Sequence, residues 1–179
     1  QGSNKSLQNS FHLSEFFRKS LKSHGTLIPL REEMSFVKTY LILEKARFGR
    51  KLLFKGEIPE ELMDAMVPRL SIQPLVENAV KHGFSTKKKG GMIDINAFTR
   101  NNNLIITITD NGCGIPADKL DMLNKELSLY KETVAGSHIG MQNVSNRIKL
   151  YYGDEYGLNI QSIEGEGTTV TIEIPYKEV

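Results

Sequence analysis

The chain has 179 residues, of which 39% are hydrophobic and 25% charged, and its formal charge is +2. That length supports one compact domain with an appendage, since a domain near this size buries roughly 70% of its unfolded surface. The near-balanced charge gives no electrostatic case for a nucleic-acid partner. A single cysteine, Cys113, excludes an internal disulfide framework and suits a reducing compartment. No apolar run reaches the roughly 20 residues that cross a bilayer and no signal peptide is visible, so the piece reads as soluble.

The elements follow from periodicity. Leu7, Phe11, Leu13, Phe16, Phe17 and Leu21 recur at three- and four-residue spacings and predict a first helix over Leu7–Leu21, broken at His24-Gly25 with Gly25 as its left-handed cap. A second helix is predicted from Leu30 to Phe48. Pro29 and the acidic pair Glu32-Glu33 suit its start, Arg47 and Arg50 its end, and Met34, Val37, Leu41, Leu43 and Phe48 make a partial apolar stripe. The two helices can pack on the following domain or pair with another subunit, and the sequence leaves both open.

Beyond Phe48 the pattern becomes α/β. Lys51–Ile58 reads as a strand, and Pro59 and Pro68 bracket a connector. Leu70–His82 reads as a helix, and Met92–Thr99 and Leu104–Asp110 as strands joined by an Asn101-Asn102-Asn103 turn. Lys87-Lys88-Lys89 before Gly90-Gly91 reads as a solvated turn tip. Pro116 opens a short helix to about Leu123, and Asn124–His138 reads as a polar, irregular connection. Gln142–Tyr151 is a helix ended by Gly153, and Leu158–Ile163 with Thr168–Ile174 forms a hairpin across Gly165-Glu166-Gly167. The sum is an α/β two-layer sandwich: a mostly antiparallel sheet with helices on one face, preceded by two helices.

Three segments carry chemistry. On the Leu70–His82 helix, Ile72, Leu75, Val76, Ala79 and Val80 form the apolar stripe, leaving Glu77, Asn78, Lys81 and His82 on the other side. The Asn78 amide oxygen suits hard Mg²⁺, Lys81 can meet a phosphate, and His82 can stack or hydrogen-bond near a ribose. A plain amphipathic helix with a Glu77–Lys81 surface pair explains the same residues. Asp110 ends a β-branched strand, either as a turn former in Asp-Asn-Gly or as the acceptor for an adenine amine, with Gly112 and Gly114 making room for the ring. Cys113 reads as a small buried filler. Gly136 and Gly140 flank Ser137-His138-Ile139 ahead of a helix, whose free N–H groups suit phosphate. Thr168 can reach the base edge beside Asp110.

Taken in this order, QPLVENAVKHG, DNGCGI, GSHIGMQNVSNR and GEGTTVTIEIP resemble the ATP-binding catalytic domain of sensor histidine kinases, in the superfamily shared with DNA gyrase B, Hsp90 and MutL. Within it they resemble the autolysin-regulator subclass, as do LSEFFRKSL and LREEMSFVKTYLILEKARF upstream. The resemblance implies a Bergerat-type sandwich over residues 49–179 behind a helical segment over residues 1–48. It also implies ATP with Mg²⁺ as ligands and a mobile lid over about Ile115–Gly140. By resemblance Asn78 is the magnesium ligand, Lys81 and His82 neighbour phosphate and ribose, Asp110 accepts adenine, and Gly112, Gly114, Gly136 and Gly140 are nucleotide-loop glycines.

Two positions depart from the pattern. Pro74 stands where ATP-hydrolysing relatives carry a glutamate one turn before the asparagine, which favours phosphoryl transfer over hydrolysis. Glu77, beside Asn78 rather than a turn away, is the remaining candidate base. His138 replaces a further glycine. No acceptor-histidine motif surrounds His12 or His24, so the acceptor is expected upstream, on dimeric helices of an intact homodimer. The expected partners are those helices and a response regulator. Gln1-Gly2-Ser3 reads as a cloning remnant, and the expected setting is the cytoplasmic part of an inner-membrane sensor, with contact to the membrane only through segments before residue 1.

Overall fold

The computed structural model describes residues 27–84, 90–129 and 139–176. The Leu7–Leu21 helix, the Gly25 cap, His12, His24, the Lys87–Lys89 tip, Gly136 and His138 lie outside those residues.

Strands β2 (Leu52–Lys55), β4 (Gly91–Arg100), β5 (Asn103–Asp110), β6 (Gly157–Ile163) and β7 (Gly167–Pro175) form one sheet in the order β2-β4-β5-β7-β6. The neighbours β4–β5, β5–β7 and β7–β6 are antiparallel, and the edge pair β2–β4 is parallel. Parallel neighbours need a crossover, and here α2 (Gln73–Phe84) lies within it. Two residues, Asn101 and Asn102, both at positive φ (51° and 61°), turn β4 into β5, as a tight hairpin requires.

Alternation decides the layers. Ile93, Ile95 and Ala97 of β4, Leu104, Ile106 and Ile108 of β5, Val170, Ile172 and Ile174 of β7, and Ile160 of β6 share one core. Ile72, Leu75, Val76, Ala79 and Val80 of α2 meet them there, with Leu123 and Leu127 of α3 (Ala117–Ser128) and Met141, Val144 and Ile148 of α4 (Ile139–Tyr152). Met92 and Phe98 point to the opposite, solvent-exposed face. The two-layer sandwich is therefore as expected.

Helix α1 spans Leu30–Phe48, the bounds that periodicity gave. It buries Leu30, Glu33, Val37, Leu41 and Glu44, whereas Leu43, placed on the apolar stripe by sequence, is 48% exposed. The buried row steps by three and four, and Leu43 falls two residues past Leu41, on the far side of the helix.

Other boundaries shift for local reasons. Strand β2 stops at Lys55 rather than Ile58, because Glu57 next gives its N–H to the Asn96 side chain at 3.0 Å. Helix α2 begins at Gln73, not Leu70, with Pro74 in the first turn where its missing N–H costs nothing. The connector between the prolines holds β3 (Met66–Pro68), paired antiparallel with β1 (Leu27–Pro29) in a small second sheet that the sequence reading did not foresee.

Residues 124–128, expected to be irregular, continue α3 to Ser128. Asn124 explains why: its side-chain amide gives to the Ile160 carbonyl at 2.8 Å and accepts from the Ile160 N–H at 3.0 Å, covering the open edge of β6. Much of the lid implied over Ile115–Gly140 is thus a helix packed on the sheet.

Candidate nucleotide-binding site

Strand register places the first group. Asp110 pairs with Ile93 on one side and Thr168 on the other, and Thr168 pairs with Ser162, so these four form one row at the end of the helix-covered face. Asp110 accepts the Gly112 N–H at 2.7 Å, an Asx turn two residues on. The turn-forming reading of Asp110 is therefore real, and the turn holds one carboxylate oxygen at the end of β5. Asn111 extends the β4 ladder, accepting the Met92 N–H on its side chain at 2.7 Å.

Ser162, which the sequence reading passed over, organises this corner. Its hydroxyl gives to the Gly167 carbonyl at 2.8 Å and accepts the Ile115 N–H at 2.8 Å. Its single hydrogen is then spent, so the 2.9 Å contact with Thr168 has Thr168 donating. Thr168 thereby presents lone pairs, not a hydrogen, to anything beside Asp110. The signal available in sequence was the alternation of β6, which puts Ser162 on the inner face opposite Thr168.

Two glycines here answer to packing. At Gly114 (φ +67°) a Cβ would collide with the Ile163 carbonyl oxygen, and at Gly167 (φ +150°) with that of Asp110. The Asp110–Ile115 loop and the β6–β7 hairpin therefore touch backbone to backbone, a closer approach than any side chain allows. Cys113, expected to be buried, is exposed. The chain reversal turns its sulfur outward, 3.7 Å from the His82 carbonyl, and buries Gly112 instead. That contact joins the loop to the end of α2.

On α2, Asn78 and Glu77 are half-buried, and Lys81 and His82 exposed. Gln73 gives a hydrogen bond to Glu77 at 3.1 Å. Glu44 of α1 lies close enough to Glu77 to feel its charge. Burial pushes the Glu44 carboxyl above the ordinary range and Glu77 adds to this, while Arg47 opposes both. The first turn of α4 meets the same face: a Cβ on Gly140 would stand 3.7 Å from the Asn78 amide nitrogen. Helix α4 begins at Ile139, three residues before the expected Gln142, so Gly140 lies inside its first turn. Gln142 and Ser145 of α4 give to the carbonyls of Leu129 and Leu127 at 3.1 and 2.8 Å, fixing the end of α3 beside this turn.

Thus the described residues join Asp110, Gly112, Gly114 and Thr168 in one corner, and Asn78 with Gly140 in another. The Cys113–His82 contact links them. Among the described residues no cluster of three or more His, Cys, Asp or Glu side chains could cage a metal.

Comparison with known proteins identifies the family. Residues 63–178 match the family model described as histidine kinase-, DNA gyrase B- and HSP90-like ATPase, and residues 2–52 match that of histidine kinase. The sensor protein LytS of Staphylococcus epidermidis is 37% identical over 166 residues, 92% of this chain and 27% of its own length. The sensor histidine kinase BtsS of Escherichia coli is 33% identical over 167 residues, 93% of this chain and again 27% of the relative. The chain thus spans about a quarter of the relatives it matches. Among solved structures, the catalytic domain of histidine kinase ThkA has a TM-score of 0.56 at 20% identity, covering 85% of this chain and 97% of that one. Full-length ShkA in complex with AMPPNP gives 0.60 at 16% identity, covering 86% and 32%. These likenesses are of fold alone. The family match over residues 63–178 shows that the chain belongs to the histidine kinase-, DNA gyrase B- and HSP90-like ATPase family.

Proposed function

We propose that Mg-ATP binds where α2, the Asp110–Ile115 loop and the first turn of α4 meet. From there its γ-phosphoryl passes to a histidine elsewhere in the intact protein, for relay to a response regulator. The observation that carries this is convergence: Gly140 stands against the Asn78 amide while Asp110 and Thr168 lie in register across two strands. Asp110 and Thr168 both offer acceptors, which suits the exocyclic amine of adenine and not the carbonyl that guanine has at the same position. Neighbouring Lys81 and His82 are exposed and able to meet the phosphates and the ribose.

The donor set suits magnesium carried in by the nucleotide. Such an ion keeps several waters and takes its other ligands from phosphates, so one amide oxygen from Asn78 suffices without a protein cage. When bound, the ion neutralises phosphate charge. The chain's own part is to orient the nucleotide: Asp110 fixes the base, Asn78 the metal end, and the α4 N-terminus with Gly140, and Gly136 before it, the phosphates. Pro74 supplies no base for water, and Glu77, facing Glu44 and bonded by Gln73, is the only carboxylate beside Asn78 on α2. Positioning without water activation favours transfer over hydrolysis. In this reading residues 49–179 are the catalytic unit, and residues 1–48 end the helical part of a homodimer that carries the acceptor. Membrane attachment belongs to further segments of the intact sensor; among the described residues no helix is long and apolar enough to cross a membrane.

Calorimetry with a non-hydrolysable Mg-ATP analogue tests the site. Asp110→Asn replaces a charged acceptor with an amide and is expected to weaken binding about 10- to 100-fold, the equivalent of about 1.5–3 kcal/mol. Equal affinity of the two forms removes Asp110 from the site. Labelled ATP is expected to leave no acid-labile phosphate on this chain alone, and its appearance would place an acceptor within it.

A further inference from the structure

We propose that Glu33 is a positioning residue for the nucleotide helix: its carboxylate reaches from α1 to cap α2 and to hold the turn that sets where Asn78 stands. The inference rests on the nucleotide reading of Asn78 given above.

Glu33 is 0% exposed. A carboxylate is kept in such a place only where hydrogen bonds replace its water. Here it accepts the N–H of Leu70 at 2.5 Å and of Ile72 at 3.0 Å, and the Gln73 N–H is directed to it as well. The Ile72 and Gln73 N–H groups are donors that the start of α2 leaves without intrahelical partners, and the Leu70 N–H belongs to the turn that leads into it. No local residue supplies the cap. Ile72, directly before the helix, has no acceptor on its side chain and is among the poorest N-cap residues. The Ser71 hydroxyl is buried without a hydrogen-bond partner. A glutamate nearly forty residues upstream does what a neighbouring serine or aspartate ordinarily does.

The turn so held is a strained one. Leu70 has φ 59°, a left-handed conformation that a bulky side chain rarely adopts. Its N–H goes to Glu33, and its carbonyl, with that of Arg69, accepts from the Arg147 guanidinium of α4. Arg147 also faces Glu33 electrostatically. It and the N–H groups pull the carboxyl down, while burial pushes it up and prevails. The turn is therefore gripped by its N–H groups from α1 and by its carbonyls from α4. Asn78 lies less than two helical turns beyond it, close enough for a rotation or slip at the cap to move the amide.

Ownership of the grip gives it consequence. Residue 33 lies within the segment matched by the histidine kinase model, residues 2–52, and outside the ATPase segment, residues 63–178. The nucleotide helix thus borrows its cap from the adjoining sequence unit. Its order depends on α1 remaining docked.

The test compares Glu33→Gln with Val37→Ala, a cavity variant at another fully buried position of α1. Three quantities are measured: melting temperature, the Kd for a non-hydrolysable Mg-ATP analogue, and amide exchange of Leu70–Asn78 without nucleotide. Glu33→Gln is expected to weaken the analogue at least tenfold and to speed exchange of those amides at least tenfold. Val37→Ala, for a similar drop in melting temperature, should leave the Kd within twofold. Equal effects of the two variants on Kd and exchange overturn the proposal, because Glu33 is then only structural. Should Glu33→Gln fail to fold alone, it is made with Leu70→Gly, which relieves the strained φ. The same Kd comparison, with Leu70→Gly as reference, then decides. A wild-type chain that binds no analogue refutes the nucleotide reading, while the exchange measurement still decides whether Glu33 orders α2.

Discussion

The two ends of the central sheet use the same turn-forming residues for different reasons. At one end Asn101 and Asn102 both take positive φ, and both are exposed, with a shallow depression shared by Thr99, Arg100 and Tyr176. The demand there is conformational: the backbone must turn tightly, and both turn residues stay exposed. At the other end Asp110, Gly112, Gly114 and Gly167 line the facing turns, but backbone from another segment lies where a Cβ on Gly114 or Gly167 would be, and Gly112 is buried. The demand there is for space. A turn that is merely tight tolerates change, whereas one wedged against a second loop fixes the geometry of whatever lies beside it. The proposed nucleotide corner is the wedged end.

The sharpest way to break this contrast is Gly167→Ala. The new methyl collides with the Asp110 carbonyl, so either the hairpin or the strand end must move. A loss of roughly 2–5 kcal/mol is expected from backbone strain and overpacking together. Denaturant melts measure the stability, and the analogue Kd should worsen in the same variant because Asp110 shifts. Unchanged stability would mean that the two loops separate easily and that the wedge is illusory.

Ser162→Ala probes the same corner more gently. It strands the Ile115 N–H and frees the Thr168 hydroxyl, a cost of about 1–2 kcal/mol at a half-buried site. It should also change what Thr168 presents. Without Ser162 to receive it, the threonine hydrogen can turn toward the base, so discrimination between adenine and guanine nucleotides should narrow. Competition binding measures the ratio, and an unchanged ratio removes Thr168 from base recognition.

Much of this was legible in the sequence, for identifiable reasons. The bounds of α1 followed from a proline before it and a sustained period, and the hairpins from their Asn and Gly turns. Asp110 was conspicuous because a carboxylate ends a run of β-branched residues. What escaped were the parts whose partner lies far along the chain. Glu33 looked like an ordinary acidic residue in a first helical turn, where it favours the helix dipole. Only the fold shows that it turns inward to another helix. Asn124 sat in a polar stretch that composition reads as loop, and it is the edge of β6 that holds it in a helix. Leu43 and Cys113 were misjudged because hydrophobicity speaks for burial on average, while direction is set by the helix phase and the turn. The β1–β3 pair is three residues long on each side, too short for alternation to announce itself.

The exposed turn offers the smallest expected effect and the control for the others. Asn102→Ala keeps φ near 61°, which asparagine tolerates better than alanine because its short polar side chain can hydrogen-bond locally, so a loss of about 1 kcal/mol or less is expected. Nothing else should change. Asn102 accepts the Tyr176 N–H through its carbonyl, at 2.9 Å, and alanine retains that group. The expected outcome is a small drop in melting temperature with analogue affinity unaltered, since the turn lies a full strand length from Asp110. If the affinity fell as far as in Gly167→Ala, the two ends would be coupled through β5, and space at the Asp110 end alone would no longer explain the site.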